Sequence, residues 1–164
     1  MSVPDRIEKT VVLRAPIARV WRAIADHREF GAWFGVDLEG PFVPGVRATG
    51  RIRPTEVDPE VAKLQEPHAG KPFTFVVDRV EEARLFSFRW HPFAVEPDVD
   101  YAREEMTLVV FALEEVAEGT RLTITETGFD RVPLARRARA FAANDGGWAH
   151  QAALVAKWLE RREA

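Results

Sequence analysis

The carboxyl group of Glu126 is the side chain whose position in the sequence most suggests chemistry. In the segment TRLTITETG, threonines alternate with Leu122, Ile124 and Glu126. Because successive side chains of a strand point to opposite faces, this alternation predicts Glu126 on the apolar face. A carboxylate there is costly unless it has a hydrogen-bonding partner or reaches water. Two interpretations follow: either the strand has already reached solvent at Glu126, or the carboxylate belongs to an interior site, where it could orient a ligand hydroxyl or act as a base.

Three polar residues of the C-terminal segment are the expected companions of Glu126 in the second case. Asn144, Asp145 and Gln151 lie on or near the apolar stripe of a predicted helix. Together with Glu126 they would form the polar end of an otherwise apolar tunnel. That layout is typical of a small-molecule site, in which a few polar groups orient a ligand held by apolar walls.

The four histidines do not form a recognisable metal or catalytic motif. His27, His68, His91 and His150 have no second histidine at ligand spacing, and the chain contains no cysteine. Strings of the G-x-S-x-G, P-loop and G-x-G-x-x-G types are also absent, and we therefore expect neither a metal nor a cofactor. His91, which follows Trp90 on a predicted inward strand, is a candidate acid or base, although a solvated strand end explains it better.

Large rings without hydroxyl groups dominate the aromatic content, with 11 Phe and 5 Trp against 1 Tyr. Such rings suit an apolar interior. We predict that the rings and aliphatic groups that line a cavity are Trp33, Phe34, Phe86, Phe88, Trp90, Val109, Phe111, Phe141 and Trp148. Ordinary core packing would produce the same alternating and helical spacings, and both interpretations stay open.

The elements that would position these residues can be read in order. Residues 7–15 alternate as a strand, and Pro16 suits the first turn of a helix. Asp26 with Glu29 resembles a capping box that begins a second short helix, which ends near Phe34. Residues 35–72 are rich in Gly and Pro and contain one plausible strand, VRATGRIR, followed by a polar excursion at 54–72 that we interpret as a loop or flap.

Four further segments have the pattern of strands: FTFVVDRVEE, LFSFRWHPF, EEMTLVVFALEEV and TRLTITETGF. The last two are joined by AEG as a hairpin. A terminal helix follows, in which apolar residues recur every three or four positions from Leu134 to Leu159, straight across Gly146 and Gly147. This spacing favours one long helix whose glycines mark close packing or a hinge, over a shorter helix capped by Asp145.

Length and charge limit the function further. The 164 residues suit one domain, residues 1–164, and a net charge of -3 argues against general nucleic-acid binding. The chain has neither a signal-peptide pattern nor an apolar run long enough to span a bilayer, from which we expect a cytoplasmic protein without a membrane span.

Three strings in this order resemble a known family: APIARVWRAIADHREFGAWF, GTRLTITETGF and GGWAHQAALVAKWL. Together they resemble the START-like, or polyketide cyclase-like (SRPBCC), superfamily, and within it the family related to the activator of Hsp90 ATPase. The resemblance implies an α+β helix-grip fold, in which a curved antiparallel sheet wraps a long C-terminal helix and encloses a tunnel for an apolar ligand. It also implies that the glycine before Trp148 lies within that helix and faces the sheet.

The function that this combination predicts is the binding of an apolar or aromatic small molecule between sheet and helix. One alternative is a cyclase- or hydrolase-type enzyme in which Glu126 or His91 transfers a proton, and whether the protein is an enzyme stays open. Another is a chaperone-related interaction domain, which is less favoured because the eukaryotic activators carry a further domain for which this chain has no room. The sequence does not determine the oligomeric state.

Overall fold

The computed structural model describes residues 5–91 and 105–161. The chain begins with strand β1 (Arg6–Leu13), followed by helices α1 (Ile17–Ala25) and α2 (His27–Phe34). The predicted cap at Asp26 is confirmed, since its Oδ1 accepts hydrogen bonds from the backbone N–H groups of Arg28 at 2.8 Å and Glu29 at 3.1 Å. The Glu29 side chain does not close the box but binds Arg19 at 2.9 Å.

The end of α2 depends on two glycines. Gly35 terminates the helix in the left-handed region, with φ of 103°, where residues with a Cβ are disfavoured. The chain then turns so tightly that a Cβ on Gly31 would lie 2.2 Å from the carbonyl oxygen of Val36. The turn leads into strand β2 (Val36–Leu38), which pairs with β3 (Arg47–Ile52). Strand β2 was not predicted because three residues are too few to show alternation.

The polar excursion at 54–72 is not simply a loop. It contains helix α3 (Pro59–Gln65) and a short 3-10 turn (Glu66–His68). Asp58 caps α3 by accepting from the N–H of Glu60 at 2.9 Å and of Val61 at 3.2 Å, with Pro59 in the first turn. The interpretation as a loop was wrong because the helix has 7 residues, too few for helical periodicity to show, although its capping residues are visible in the sequence.

The excursion is attached to the rest of the fold at both ends of α3. Gln65 Nε2 donates to the carbonyl oxygen of Phe34 at 3.1 Å. Asp58 also accepts from Lys157 Nζ, on the C-terminal helix, at 2.5 Å. These contacts hold α3 against the end of α2 and against the terminal helix.

The remaining strands are β4 (Pro72–Glu81), β5 (Leu85–Trp90), β6 (Thr107–Val116) and β7 (Gly119–Thr127). The described residues thus form a sheet in the order β1-β7-β6-β5-β4-β3-β2, with antiparallel neighbours throughout. This confirms the predicted strands and hairpin. Residues 92–93 and 104, at the ends of two predicted strand segments, lie outside the described residues.

The C-terminal helix α4 (Leu134–Arg161) is continuous over 28 residues, as the apolar spacing predicted. Asp145 lies in its middle, where it pairs with Lys9 Nζ at 2.9 Å, and the alternative that it caps a shorter helix is wrong. Close packing does not explain the glycines either. A Cβ on Gly146 or Gly147 would meet nothing within 4 Å.

Helix α4 packs on β1, α1 and α2, and the sheet curves around it. This is the predicted helix-grip arrangement of an α+β fold. Its core is one cluster of buried aliphatic and aromatic side chains. The cluster includes Trp33, whose Nε1 donates to Ala23 O at 2.9 Å. Within the described ranges, no helix is both long and apolar enough to cross a membrane.

Candidate functional site

Glu126 is completely buried, with 0% of its surface exposed. Its Oε1 accepts from Asn144 Nδ2 at 2.9 Å and from Trp148 Nε1 at 2.8 Å. Its Oε2 accepts from Trp90 Nε1 at 2.8 Å and from Thr107 Oγ1 at 2.5 Å. The carboxylate therefore lies in the interior, and the interpretation that the strand has reached solvent at this residue is wrong.

Strand register brings three of these groups together. Glu126 on β7 lies opposite Val109 on β6, and Thr107, two residues from Val109, shares its face. Thr107 in turn lies opposite Trp90 at the end of β5. The site is thus a diagonal across three adjacent strands at one end of the sheet.

Helix α4 supplies the other two donors and one further polar side chain. Asn144, Trp148 and Gln151 are spaced by four and three residues, and this spacing puts them on one helical face. That face lies over the ends of β5, β6 and β7, since Asn144 and Trp148 both reach Glu126. Gly147 lies between them on this side of the helix and adds no side chain to it.

The hydrogen bonding of Glu126 determines what it can do. All four of its partners are uncharged, and the indole N–H groups of Trp90 and Trp148 can only donate. Four donors match the acceptor capacity of an ionised carboxylate. Glu126 consequently fixes the positions of two indole rings and one amide, and it could accept a proton from a substrate only after one of these bonds is released.

A cavity of about 80 Å³ lies beside this cluster, lined by Phe34, Trp90, Asn144, Gly147, Trp148 and Gln151. Three rings form its wall, with centroids 5.5 Å apart for Trp90 and Trp148 and 6.2 Å apart for Phe34 and Trp148. The cavity is smaller than the roughly 150 Å³ of an engineered cavity that binds benzene. An organic ligand therefore requires this wall to widen, and the side chains of Trp90, Asn144 and Gln151, which are only partly buried, are placed to move.

Gly147 contributes to this space by having no side chain. It lines the cavity, and its neighbour Gly146 is exposed and does not. A Cβ on either residue would meet no atom within 4 Å. A larger side chain at 147 would enter the cavity, whereas one at 146 would enter solvent. This pair offers a matched test of the cavity.

Only one of the two polar atoms of the Gln151 side chain forms a hydrogen bond within the described residues. Its Nε2 donates to the carbonyl oxygen of Phe34 at 3.3 Å, the same oxygen that accepts from Gln65. Its Oε1 is buried and has no hydrogen-bond partner among the described residues. A residue that lines the cavity thus carries a buried acceptor without a partner.

Six of the predicted site residues lie together at this cavity or behind it. Phe34, Trp90, Asn144, Trp148 and Gln151 line it, and Glu126 lies behind the rings. The structure places a second group in the packed core instead, all with 0% exposure: Trp33, Phe86, Phe88, Val109 and Phe111. Their side chains point inward as predicted, but they pack on one another, as Phe86 does on Phe88 with ring centroids 5.8 Å apart.

The other predicted residues lie elsewhere. Phe141 packs edge-on against Phe129, with centroids 5.2 Å apart, and the Asp145 carboxylate faces Lys9. His91 directly follows β5 and is partly buried. In the part of the chain that the structure describes, no three potential ligand side chains are grouped to hold a metal ion.

Two residues of the site were not among the predicted site residues. Thr107 donates to Glu126, and its place in the alternation with Val109 and Phe111 was a visible signal. Gly147 lines the cavity, and the signal for it was its position one helical turn from Asn144 and Gln151. Sequence patterns identify residues that carry groups more readily than a residue whose contribution is empty space.

Comparison with known proteins agrees with this architecture. A family model described as Activator of Hsp90 ATPase homolog 1-like protein matches residues 14–160. DynU16, a protein of the dynemicin biosynthetic locus, is similar at 25% identity and a TM-score of 0.67, over 96% of this chain and 48% of that chain. This chain therefore spans about half the length of DynU16.

Other solved structures are similar over most of their length. A protein from Bordetella parapertussis is 26% identical, with a TM-score of 0.66, over 96% of this chain and 76% of that chain. A protein from Mesorhizobium loti has a TM-score of 0.70 at 18% identity, over 97% of this chain and 99% of that chain, which shows the fold alone. Comparison with curated proteins gave no match.

Proposed function

Because the chain belongs to the family of Activator of Hsp90 ATPase homolog 1-like proteins, whose START-like fold is of a ligand-binding type, we propose that it binds an apolar or aromatic small molecule. The ligand would occupy the cavity between the sheet and α4, against Phe34, Trp90 and Trp148. Affinity would come mainly from burial of ligand surface, at about 25 cal/mol per Å² before the costs of association.

The observation that carries this proposal is the position of the cavity against three rings, two of which a fully bonded buried carboxylate holds from behind. Burial of Glu126 costs free energy that the four hydrogen bonds must offset. An apolar residue would fill the same space without that cost. A carboxylate that holds two indole rings at a cavity wall suits a binding site that is formed in advance of its ligand.

Binding without turnover is favoured over catalysis by the same hydrogen bonds. A general base needs an acceptor within reach of the substrate proton, and both oxygens of Glu126 already accept two hydrogen bonds each. Similarity to a protein of a biosynthetic locus is compatible with a small-molecule ligand. We therefore assign Glu126 the role of a positioning residue in the proposed site.

The proposal can be tested by NMR titration of the indole N–H signals. The probes are benzene, toluene and naphthalene, apolar rings of increasing size. Trp90→Phe and Trp148→Phe assign the two indole signals that belong to the cavity wall. We expect at least one of the probes to shift both of these signals in a saturable manner, because both N–H groups are held against the cavity by Glu126.

Gly147→Leu and Gly146→Leu are the matched variants for this titration. Leucine at 147 projects into the cavity, and leucine at 146 projects into solvent. We expect binding to be lost in Gly147→Leu and kept in Gly146→Leu. If none of the three rings shifts the two indole signals of the wild-type protein, the proposed function is wrong.

A further inference from the structure

The unpartnered oxygen of Gln151 indicates which ligands the cavity selects. Buried polar atoms of proteins nearly always have a hydrogen-bond partner, and an exception calls for a physical explanation. Gln151 Oε1 is such an exception among the described residues, and its side chain lines the cavity. A ligand with a hydrogen-bond donor would supply the missing partner.

The orientation of the Gln151 amide follows from its other contact. Amide oxygen and nitrogen can be exchanged in many structures without a change of shape. Here the exchanged form would point Gln151 Oε1 at the carbonyl oxygen of Phe34, 3.3 Å from the present amide nitrogen. Two acceptors would then face each other, and the nitrogen must remain on the Phe34 side. The atom without a partner is therefore an acceptor, which is buried in the present structure and which a ligand would reach only as the wall widens.

The charge around the cavity points the same way. None of the six described residues that line it carries a positive charge. The carboxylate of Glu126 lies directly behind the indole rings, which are bonded to it through their N–H groups. An anionic ligand would lose part of its hydration against this apolar wall and would find no positive charge among these residues to replace it.

We propose, on the basis of the proposed function, that the cavity selects uncharged aromatic molecules that carry an N–H or O–H donor and discriminates against aromatic carboxylates. The ring packs against Phe34, Trp90 and Trp148, and the donor binds Gln151 Oε1. Specificity then comes from one acceptor and from a lining without positive charge. A site that contains a buried acceptor disfavours ligands that leave it unpaired.

The test compares three probes that share one ring: phenol, benzene and benzoate. Dissociation constants are measured from the shifts of the Trp90 and Trp148 indole signals, in the wild-type protein and in Gln151→Met and Gln65→Met. Both variants remove one hydrogen bond to the Phe34 carbonyl oxygen. Gln65→Met also removes the hydrogen bond that Gln65 Oε1 accepts from the Thr55 N–H, and only Gln151→Met removes the unpartnered acceptor. Methionine is unbranched and favourable in helices, so that α4 should be preserved.

In the wild-type protein we expect phenol to bind at least about tenfold more tightly than benzoate. In Gln151→Met we expect the dissociation constant of phenol to rise about 3- to 10-fold, the equivalent of one neutral hydrogen bond, and that of benzene to change less than about 2-fold. In Gln65→Met both constants should stay near their wild-type values.

The inference is overturned if benzoate binds as tightly as phenol, or if Gln151→Met leaves the affinity for phenol unchanged. Either result can occur while benzene and phenol still bind at the cavity, which leaves the proposed function standing. Failure of every ring to shift the indole signals would instead contradict the proposed function. The comparison of phenol with benzoate needs only the wild-type protein and does not depend on the stability of a variant.

Discussion

Replacement of Glu126 by glutamine tests the hydrogen-bonded cluster directly, because it keeps the size of the side chain and changes one oxygen into an amide nitrogen. The nitrogen is a donor and cannot accept. If it faces Asn144 and Trp148, the buried Trp148 N–H, with the residue 2% exposed, loses its acceptor. If it faces Trp90 and Thr107, the hydroxyl can rotate to accept, and the Trp90 N–H loses its acceptor instead.

The expected loss of stability follows from the number of hydrogen bonds that the substitution removes. In either orientation at least one indole N–H is left without its partner, which costs about 1–3 kcal/mol when the group is buried. The remaining hydrogen bonds become neutral and weaken. Removal of a buried charge offsets part of this loss. We expect Glu126→Gln to lower the free energy of unfolding by about 1–3 kcal/mol, or Tm by about 2–12 °C for a chain of this size.

The assay is urea unfolding followed by circular dichroism, with Glu118→Gln as the matched control. Glu118 is exposed at the turn between β6 and β7, and its substitution should change stability by less than about 0.5 kcal/mol. In the NMR spectrum of Glu126→Gln, the indole signal of Trp90 or Trp148 should move as its hydrogen bond is lost. Our account of the cluster is refuted if Glu126→Gln unfolds at the same urea concentration as Glu118→Gln and leaves both indole signals in place.

Three further predictions concern the elements around the site. Gly146→Ala should stabilise the protein by about 0.5–1 kcal/mol in thermal unfolding, because its Cβ meets open space and alanine favours the helix; a loss of stability would contradict the open helix surface. Gly31→Ala should destabilise the protein by about 1–3 kcal/mol or more, since its Cβ would lie 2.2 Å from Val36 O. An unchanged thermal stability would show that the turn between α2 and β2 is less tight than the structure has it. The hydrogen bond from Lys157, with those from backbone N–H groups, lowers the pKa of Asp58. The stabilisation by the Asp58–Lys157 contact should therefore be complete above about pH 4 and should be lost as the pH falls below that value. Asp58→Asn keeps the helix cap and should flatten this acid dependence in urea unfolding, and an unchanged dependence would exclude the contact as its source.

Much of the fold could be predicted because its signals are local. The cap at Asp26 involves neighbours within three residues, and the alternation in β7 needs only the period of a strand. The long spacing that crosses Gly146 and Gly147 predicted a continuous α4 in the same way. Elements without such a signal were missed, since β2 and α3 are too short for a period to appear.

The contacts within the candidate site could not be predicted from local sequence patterns. Alternation predicted that Glu126 points inward, but the identity of its donors depends on the register of three strands, which brings Thr107 and Trp90 to its side. Asn144 and Trp148 complete the cluster because the middle of α4 packs over the ends of these three strands. None of these relations involves residues adjacent in the chain.

By itself, the sequence determined which side chains face the interior, because the periods of strand and helix are properties of the backbone that each residue shares with its near neighbours. Only the tertiary structure decided which inward rings, such as Phe88, fill the core and which, such as Trp90, border a cavity. The difference is a matter of a few Å between elements far apart in the chain, and it depends on how all of their side chains pack at once.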